Sequence, residues 1–232
     1  MISLLRSIRS GFGLLAAAVL LSATSLRAAE GDKYLARIET CEAILREFQA
    51  DPQLTIPGQV LRQAQAVVIV NQVKGGLVLG LQYGHGVVLV RRPDGTWSIP
   101  VLVKAGEASL GLQLGGQRVE TIYVLMDTKT PRLLFANRFN IGADASAVAG
   151  PRTYEAEKLS RDILSTPVLV YGRNNGYYAG ATVKTGWIDR HDSANTSYYN
   201  TEYTMPELLY GNAVTPPAGV RPLMNFVTEI SR

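Results

Sequence analysis

The sequence has few of the residues that carry covalent or metal chemistry in enzymes. Among its 232 residues are one cysteine, Cys41, and two histidines, His85 and His191. A single cysteine excludes an internal disulfide. The chain also has no Gly-x-Ser-x-Gly, Gly-Lys-Ser or Gly-Lys-Thr segment, so a nucleophile elbow and a P-loop are both missing. We therefore predict that the protein is not an enzyme and has no cofactor and no metal site.

Both histidines stand in contexts that favour structural roles. Gly84-His85-Gly86 lies inside a predicted strand rather than in a strand-to-helix turn, which argues against a nucleotide loop. We interpret His85 as a core or rim histidine. Residues 189–192, Asp-Arg-His-Asp, contain possible metal ligands without a second group at ligand spacing, and we interpret them as a solvated loop. A hydrolase that depends on His85 or His191 is the enzymatic alternative.

The chain has no apolar run of the length that spans a membrane, and its first residues have the pattern of an export signal. Arg6 and Arg9 precede an apolar run at 11–21, which is shorter than the ~20 residues that a span requires. Small residues follow it. This pattern predicts a secretory signal peptide over residues 1–29, with an uncleaved N-terminal anchor as the alternative. We expect residues 30–232 to form a single domain that is exported to the periplasm. Association of this domain with the membrane is left open.

The remaining domain has little net charge, which removes one argument for a nucleic-acid partner. The whole chain has 23 basic and 19 acidic residues. Removing residues 1–29 takes away three arginines and no acid, which leaves 20 basic residues against 19 acidic ones. A near-neutral domain of this size gives no general attraction for nucleic acid.

A two-faced strand pattern dominates what is present. In Lys74–Arg92, the odd positions are mostly apolar, whereas Gly80, Gly84 and Gly86 share the other face. Similar patterns recur at 106–117, 139–149 and 177–188, and Ala66–Val73 is continuously apolar. These repeats predict an α+β fold with an antiparallel, barrel-like or strongly curved β core. The small, polar face is either packed closely or exposed, or it forms the wall of a ligand groove.

Helical patterns flank this β core at both ends of the domain. Residues 32–49 form a predicted amphipathic helix, and a short second helix is predicted from Pro57. A capping box at Thr204–Glu207 predicts another helix, which Gly211 ends. An apolar stripe from Leu223 to Ile230 predicts the last one. We expect these helices to cover one face of the sheet.

Basic and aromatic residues near the strand ends are the candidates for ligand binding. A basic rim beside an apolar surface suits an anionic headgroup, and tyrosine suits a boundary between apolar and aqueous media. Solvating end charges and cross-strand packing are the alternatives. The candidate lipid-binding residues are Lys74, Gly80, Tyr83, Gly84, Arg91, Arg92, Lys104, Tyr177, Tyr178 and Lys184.

An ordered set of motifs covers nearly the whole domain. It comprises Lys74-Gly75-Gly76, Gly80-x-x-Tyr83-Gly84-x-Gly86, Trp97-Ser98-x-Pro100, Ser109-x-Gly111-x-Gln113-x-Gly115, Gly142-Ala143-Asp144-Ala145-Ser146, Gly176-Tyr177-Tyr178-Ala179-Gly180, Asn195 with Tyr198-Tyr199, and Leu208-Leu209-Tyr210-Gly211. Over residues 35–230 this set resembles the SYLF domain family, and in particular its bacterial exported members.

The resemblance implies a non-enzymatic lipid-binding module. Eukaryotic relatives bind phosphoinositides and membranes, and some fungal ones bind actin. In some relatives a basic N-terminal helix contacts the membrane, whereas the helix at 32–49 mixes acids and bases. We therefore expect a phospholipid or a membrane surface as partner, with phosphatidylinositol as one candidate. A protein-interaction or structural module of the cell envelope is the alternative.

Overall fold

Eight strands form one curled sheet, which carries the rest of the domain. The structure is a computed structural model that describes residues 29–75, 79–110, 117–135, 138–173 and 186–232. The order across the sheet is β5-β8-β3-β2-β1-β4-β7-β6. The strands are β1 (Ala66–Gly75), β2 (Leu79–Val90), β3 (Val101–Leu110), β4 (Gln117–Leu125), β5 (Arg138–Asn140), β6 (Ala147–Ala149), β7 (Val168–Gly172) and β8 (Gly186–Arg190).

Helices precede, interrupt and follow the strands. The first, α1, covers residues 29–50. The others are α2 (Gly58–Gln63), α3 (Thr130–Leu133), α4 (Arg161–Leu164), α5 (Asp192–Tyr199), α6 (Met205–Tyr210) and α7 (Arg221–Ile230). The predicted α+β fold with a strongly curved β core and helices at both ends is confirmed. Neighbouring strands are antiparallel, except that β6 runs parallel to β7.

The central strand β1 separates two hydrophobic cores. Val67 and Ile69 face a helix-side core, which α1, α2 and α7 cover. Val68 and Val70 face a far-side core, to which α6 contributes. Each fully buried aliphatic side chain of this kind contributes about 1.5–3 kcal/mol. Of the alternatives for the second face of the sheet, close packing therefore holds at β1, because apolar side chains are buried on both of its faces.

Two of the glycines on the predicted bare face of β2 allow the backbone of β1 to come close. A Cβ atom on Gly84 would overlap the carbonyl oxygen of Asn71 and lie 2.6 Å from the Cα of Gln72. A Cβ atom on Gly86 would overlap the carbonyl oxygen of Ile69 in the same way. These contacts leave no room for a side chain where the sheet bends. The packing interpretation therefore holds at both glycines.

Several elements differ from the sequence prediction. Residues 139–149 form two short strands with a turn between them, because Asn140 and Asp144 bond to each other across the turn. The predicted solvated loop at 189–192 is in fact the end of β8 and the first residue of α5.

A side chain rather than an apolar stripe holds α5 in place. The amide of Asn195 accepts a hydrogen bond from the Leu102 N–H at 2.8 Å and donates one to the Leu102 carbonyl at 2.9 Å. The Asn195 side chain thus satisfies the N–H and carbonyl groups of Leu102 in β3, as the backbone of a neighbouring strand would. The predicted capping box of α6 is confirmed, because Glu207 accepts hydrogen bonds from the backbone and hydroxyl of Thr204.

Some predictions concern residues outside the described ranges. They include nearly all of the predicted signal peptide and most of the two-faced pattern at 177–188. Tyr177, Tyr178 and Lys184 also lie outside the described residues. Of the helices that the structure describes, none combines the length and the hydropathy needed to cross a membrane.

Candidate anion-binding site

A cavity of about 370 Å³ opens on the helix side of the sheet. It lies toward the end where β1 finishes at Gly75 and β2 begins at Leu79, which we call the cavity end. Its lining comes from α1, four strands and the residue after β8. The lining residues are Arg37, Asn71, Val73, Tyr83, Gly84, His85, Lys104, Arg118 and His191.

Among the residues that the structure describes, the cavity wall carries three permanent positive charges and no carboxylate. Arg37 comes from α1, Lys104 from β3 and Arg118 from β4. Within the described part of the chain, none of the three has an acidic side chain within 4 Å. Like charges that converge without a counter-charge repel one another, so the cavity favours an anion.

Both histidines of the chain lie in this cavity and are neutral at pH 7. Burial, assisted by the positive charge of Arg37, lowers the pKa of His85 to about 4. Burial also lowers the pKa of His191 to about 4, with help from Lys104, Arg37 and Lys33 and against the opposite effect of Asp192. A neutral imidazole still has one N–H donor to offer a ligand.

Two buried polar atoms of the cavity residues have no hydrogen-bond partner among the described residues. They are Oδ1 of Asn71 and Nδ1 of His191. Leaving a buried polar group unsatisfied costs about 1–3 kcal/mol, so such atoms are rare in native interiors. An asparagine amide can present either its oxygen or its NH₂ group at one position. Each residue therefore has a buried polar atom that the described part of the fold leaves unsatisfied beside the cavity.

An apolar rim stands at the mouth of the cavity. Val73 and Tyr83 are paired across β1 and β2, and their side chains are 59% and 60% exposed. The ring of Tyr83 lies 6.3 Å from the ring of Trp187. Exposed apolar side chains beside a cationic cavity match an amphiphilic anion, whose charged group enters while its apolar part stays at the rim.

Comparison with known proteins places the chain in a family. Residues 106–230 match the family model described as Ysc84, Las17-binding protein actin regulator. The chain belongs to this family. The resemblance to SYLF proteins that the motifs predict is thereby confirmed.

The family relatives come from fungi and mammals. An SH3 domain-containing protein of Schizosaccharomyces pombe is 30% identical over 196 residues, 80% of this chain and 45% of the relative. Protein YSC84 of Saccharomyces cerevisiae is 28% identical over 183 residues, 75% and 39% of the two chains. SH3 domain-containing YSC84-like protein 1 of Bos taurus is 26% identical over 196 residues, 81% and 57%. The chain thus spans about half the length of these relatives.

The relatives are named for SH3 domains and for Las17 binding, and these names describe no enzyme. Burial raises the pKa of the Cys41 thiol to about 12, so the thiolate nucleophile is scarce at neutral pH. Across the described ranges, no three His, Cys, Asp or Glu side chains form a group that could hold a metal ion.

The structure brings three of the predicted lipid-binding residues together. Tyr83, Gly84 and Lys104 line the cavity. Lys74 lies near the end of β1 and Gly80 near the start of β2, so both are at the cavity end of the sheet. This placement groups half of the predicted residues around one site.

Arg91 and Arg92 lie at the opposite end of the sheet, after Val90, which we call the far end. Arg91 donates to the carbonyls of Ala64 at 2.9 Å and Leu61 at 3.2 Å, and its guanidinium lies 4.8 Å from the Trp97 ring. Arg92 donates to the carbonyls of Leu209 at 3.2 Å and Gly211. Both side chains therefore bind the C-terminal ends of helices, although they also line a smaller cavity of about 180 Å³.

The sequence prediction missed six residues of the site. They are Arg37, Asn71, Val73, His85, Arg118 and His191. One signal was visible: His85 interrupts an otherwise apolar strand face. The other five are separated by up to 154 positions along the chain, and only the fold brings them to one cavity.

Proposed function

We propose that this protein is a non-enzymatic lipid-binding protein of the cell envelope, which is exported through residues 1–29 and contacts anionic phospholipid at the cavity end. The observation that supports this function most is the cavity itself. It joins three cations, without a carboxylate in its lining, to the exposed apolar pair Val73 and Tyr83. Phosphatidylglycerol, phosphatidic acid and phosphatidylinositol all carry the anionic headgroup that such a cavity accepts.

The local charge matters more here than the total charge. A nearly neutral domain has little long-range attraction for an anionic membrane, and charge is screened beyond about 8–10 Å at physiological salt. Each Lys or Arg held near an anionic surface contributes about 1 kcal/mol. The three cavity cations therefore supply a few kcal/mol at one place, and the apolar rim adds contact with the lipid interior.

Vesicle co-sedimentation of the mature domain tests this function. We expect binding to vesicles that contain phosphatidylglycerol or phosphatidylinositol, and much weaker binding to phosphatidylcholine alone. Tyr83→Ser should weaken binding about three- to tenfold. Tyr154→Ser is the matched control, because Tyr154 is 61% exposed and lies outside the cavity lining. Absence of binding to every anionic vesicle would refute the proposal.

A protein-interaction module is the second candidate, because relatives are named as Las17-binding proteins. The same cationic cavity would then receive an acidic side chain of an envelope protein. Pull-down from envelope fractions with and without detergent separates the two functions. A defined partner that is retained after delipidation, and lost in Arg118→Gln but not in Arg161→Gln, would favour the protein partner.

A further inference from the structure

The two histidines give the cavity a property that the three cations alone would not. We propose that the cavity binds a doubly charged phosphate-type or sulfate-type group, and that binding transfers a proton from solvent to the His85–His191 pair. This inference rests on the proposed function only in that a phosphomonoester headgroup, such as that of phosphatidic acid, is one source of such a group. Free phosphate monoesters are the other source.

Sheet geometry places both histidines beside the same lysine. In the register of the sheet, His85 of β2 stands between Asn71 of β1 and Lys104 of β3. Lys104 in turn stands opposite Asp189 of β8 in the sheet register, and His191 follows Asp189 by two residues, directly after the end of β8. An anion bound next to Lys104 thus lies within the common surroundings of both imidazoles.

The groups that face the histidines are mostly positive. From α1 they are Lys33 and Arg37, together with the ring of Tyr34, whose centroid lies 6.2 Å from that of His191. Lys104 faces both histidines from β3, and Arg118 completes the wall from β4. Among the described residues, Asp192 of α5 is the acidic group whose charge acts on His191, and it is 3.2 Å from Arg190 in an ion pair. Asp189, opposite Lys104 in the sheet, is paired with Arg138 at 3.3 Å.

These surroundings keep the imidazoles neutral while the cavity is empty. Partial burial and, to a smaller extent, the positive neighbours disfavour imidazolium and lower the pKa values of His85 and His191. A dianion reverses the smaller, electrostatic influence, because it neutralises the cations, and it also accepts a hydrogen bond from the protonated ring. The pKa of each imidazole ring therefore rises on binding. At a pH between the pKa of the ring without the anion and its pKa with the anion bound, the ring takes up a proton.

The sign of the pH dependence follows from this linkage. Where binding takes up one proton, the affinity increases about tenfold for each unit by which the pH falls. The increase begins as the pH drops through the pKa of the occupied site. It ends near pH 4, where the rings of the empty site are already protonated.

The size and the donors of the cavity fit a phosphate group with part of its substituent. A volume of about 370 Å³ corresponds to roughly a dozen water molecules at ~30 Å³ each. The guanidiniums of Arg37 and Arg118 offer planar pairs of N–H donors, which match tetrahedral oxyanions. The side chains therefore supply the donors that such an anion requires.

Calorimetry of the mature domain with sulfate tests the inference. Sulfate stays doubly charged from pH 5 to pH 8, so any proton taken up goes to the protein. Titrations in two buffers of different ionisation enthalpy, at constant ionic strength, measure that proton number directly. We expect uptake of between about half a proton and two protons at pH 5.5, and an affinity at pH 5.5 at least about fivefold higher than at pH 7.5. Binding without proton uptake, or no binding, would overturn the proposal.

Variants assign the proton to the histidines. His85→Gln and His191→Gln should each reduce the uptake, and the double variant should abolish it while still binding sulfate at pH 7.5. Arg118→Gln should weaken sulfate binding about fivefold or more, whereas Arg161→Gln, an exposed arginine on α4 beyond the cavity lining, should not. Proton uptake that persists in a folded double variant would contradict the assignment, and circular dichroism confirms the fold of each variant.

Glycerol phosphate and vesicles separate the two sources of the anion. Sulfate and glycerol phosphate binding with proton uptake, but without vesicle binding, would support the cavity assignment and refute the lipid function. Vesicle binding that is unaffected by pH and by His85→Gln, in a protein that does not bind sulfate, would support the lipid function and refute this inference.

Discussion

The two ends of the sheet each carry a cluster of cations, and they use them in opposite ways. At the far end, Arg91 and Arg92 donate to backbone carbonyls at the ends of α2, α6 and α7. At the cavity end, Arg37, Lys104 and Arg118 surround a space, and no described carboxylate is paired with them. The comparison shows that a basic residue near a strand end is structural or ligand-binding according to the acceptor it meets.

The difference also predicts how each end contributes to stability. Guanidiniums that satisfy helix carbonyls add hydrogen bonds to the fold and complement the helix dipole. Cations that converge on an empty cavity repel one another and stabilise nothing until an anion arrives. We therefore expect substitutions at the far end to lower stability without affecting binding, and substitutions at the cavity end to do the reverse.

The largest expected loss of stability is at Gly84, which lines the cavity but has a structural role. Gly84→Val places a branched side chain where the backbone of β1 passes, with Gln72 Cα 2.6 Å from its Cβ. Overpacking against backbone has no low-cost relief, so we expect a loss of at least about 3 kcal/mol. Urea denaturation measures it. A folded Gly84→Val with wild-type stability and lost vesicle binding would instead make Gly84 part of the ligand surface.

The second prediction concerns pH and the two cavity histidines. Their pKa values are lowered in the folded state, so between about pH 6.5 and pH 4 the unfolded chain binds more protons than the folded one. Stability therefore falls as the pH decreases through this window, by about 1–3 kcal/mol for the pair after allowance for partial exposure. Above pH 7 the contribution is constant.

The His85→Gln/His191→Gln double variant isolates that contribution from the carboxylates, which titrate in both proteins. We compare the free energy of unfolding of the double variant with that of the wild type at each pH. The difference, variant minus wild type, should be larger at pH 5 than at pH 7.5. Denaturation curves at the two pH values measure the difference. Added sulfate should reduce it, because an anion removes the repulsion that opposes protonation. Identical pH profiles of the two proteins would mean that the cavity does not restrain histidine protonation.

The strands could be predicted from the sequence, whereas the site could not. The continuous apolar run of Ala66–Val73 and the alternation in β2 come directly from side chains that must be buried, so periodicity reveals them. The cavity depends on register: which residue of β3 stands opposite His85 is decided by the whole sheet and not by local pattern. For the same reason, Arg91 and Lys104 look equivalent in sequence, although one caps helices and the other lines the cavity.

Helix α5 shows a second limit of sequence patterns. Its residues Asp192–Tyr199 have no apolar stripe, and the sequence pattern predicts no helix there. The helix buries Ala194 and Tyr199, and Asn195 forms two hydrogen bonds with Leu102. An interaction of one amide with a strand 93 positions away leaves no periodic signal. It can be recognised only when the strand is already in place.

The third prediction tests the far end directly. Arg91→Gln removes donors from the carbonyls of Leu61 and Ala64 and the stacking on Trp97, so we expect a loss of about 1–3 kcal/mol. Vesicle and sulfate affinity should not change. Arg62→Gln is the matched control, since Arg62 is exposed in the last turn of α2, the helix whose end Arg91 binds. This control variant should change stability by less than about 0.5 kcal/mol.

The smallest expected change in stability is also the most informative about the cavity. Arg118→Gln removes one of three converging charges, so the free energy of unfolding should stay constant or rise by up to about 0.5 kcal/mol at low salt. The same variant should bind sulfate and anionic vesicles about fivefold more weakly. Parallel urea denaturation and vesicle titration give both values. A substantial loss of stability in Arg118→Gln would show that this arginine has a structural partner, as Arg91 does, and the contrast between the two ends of the sheet would then disappear.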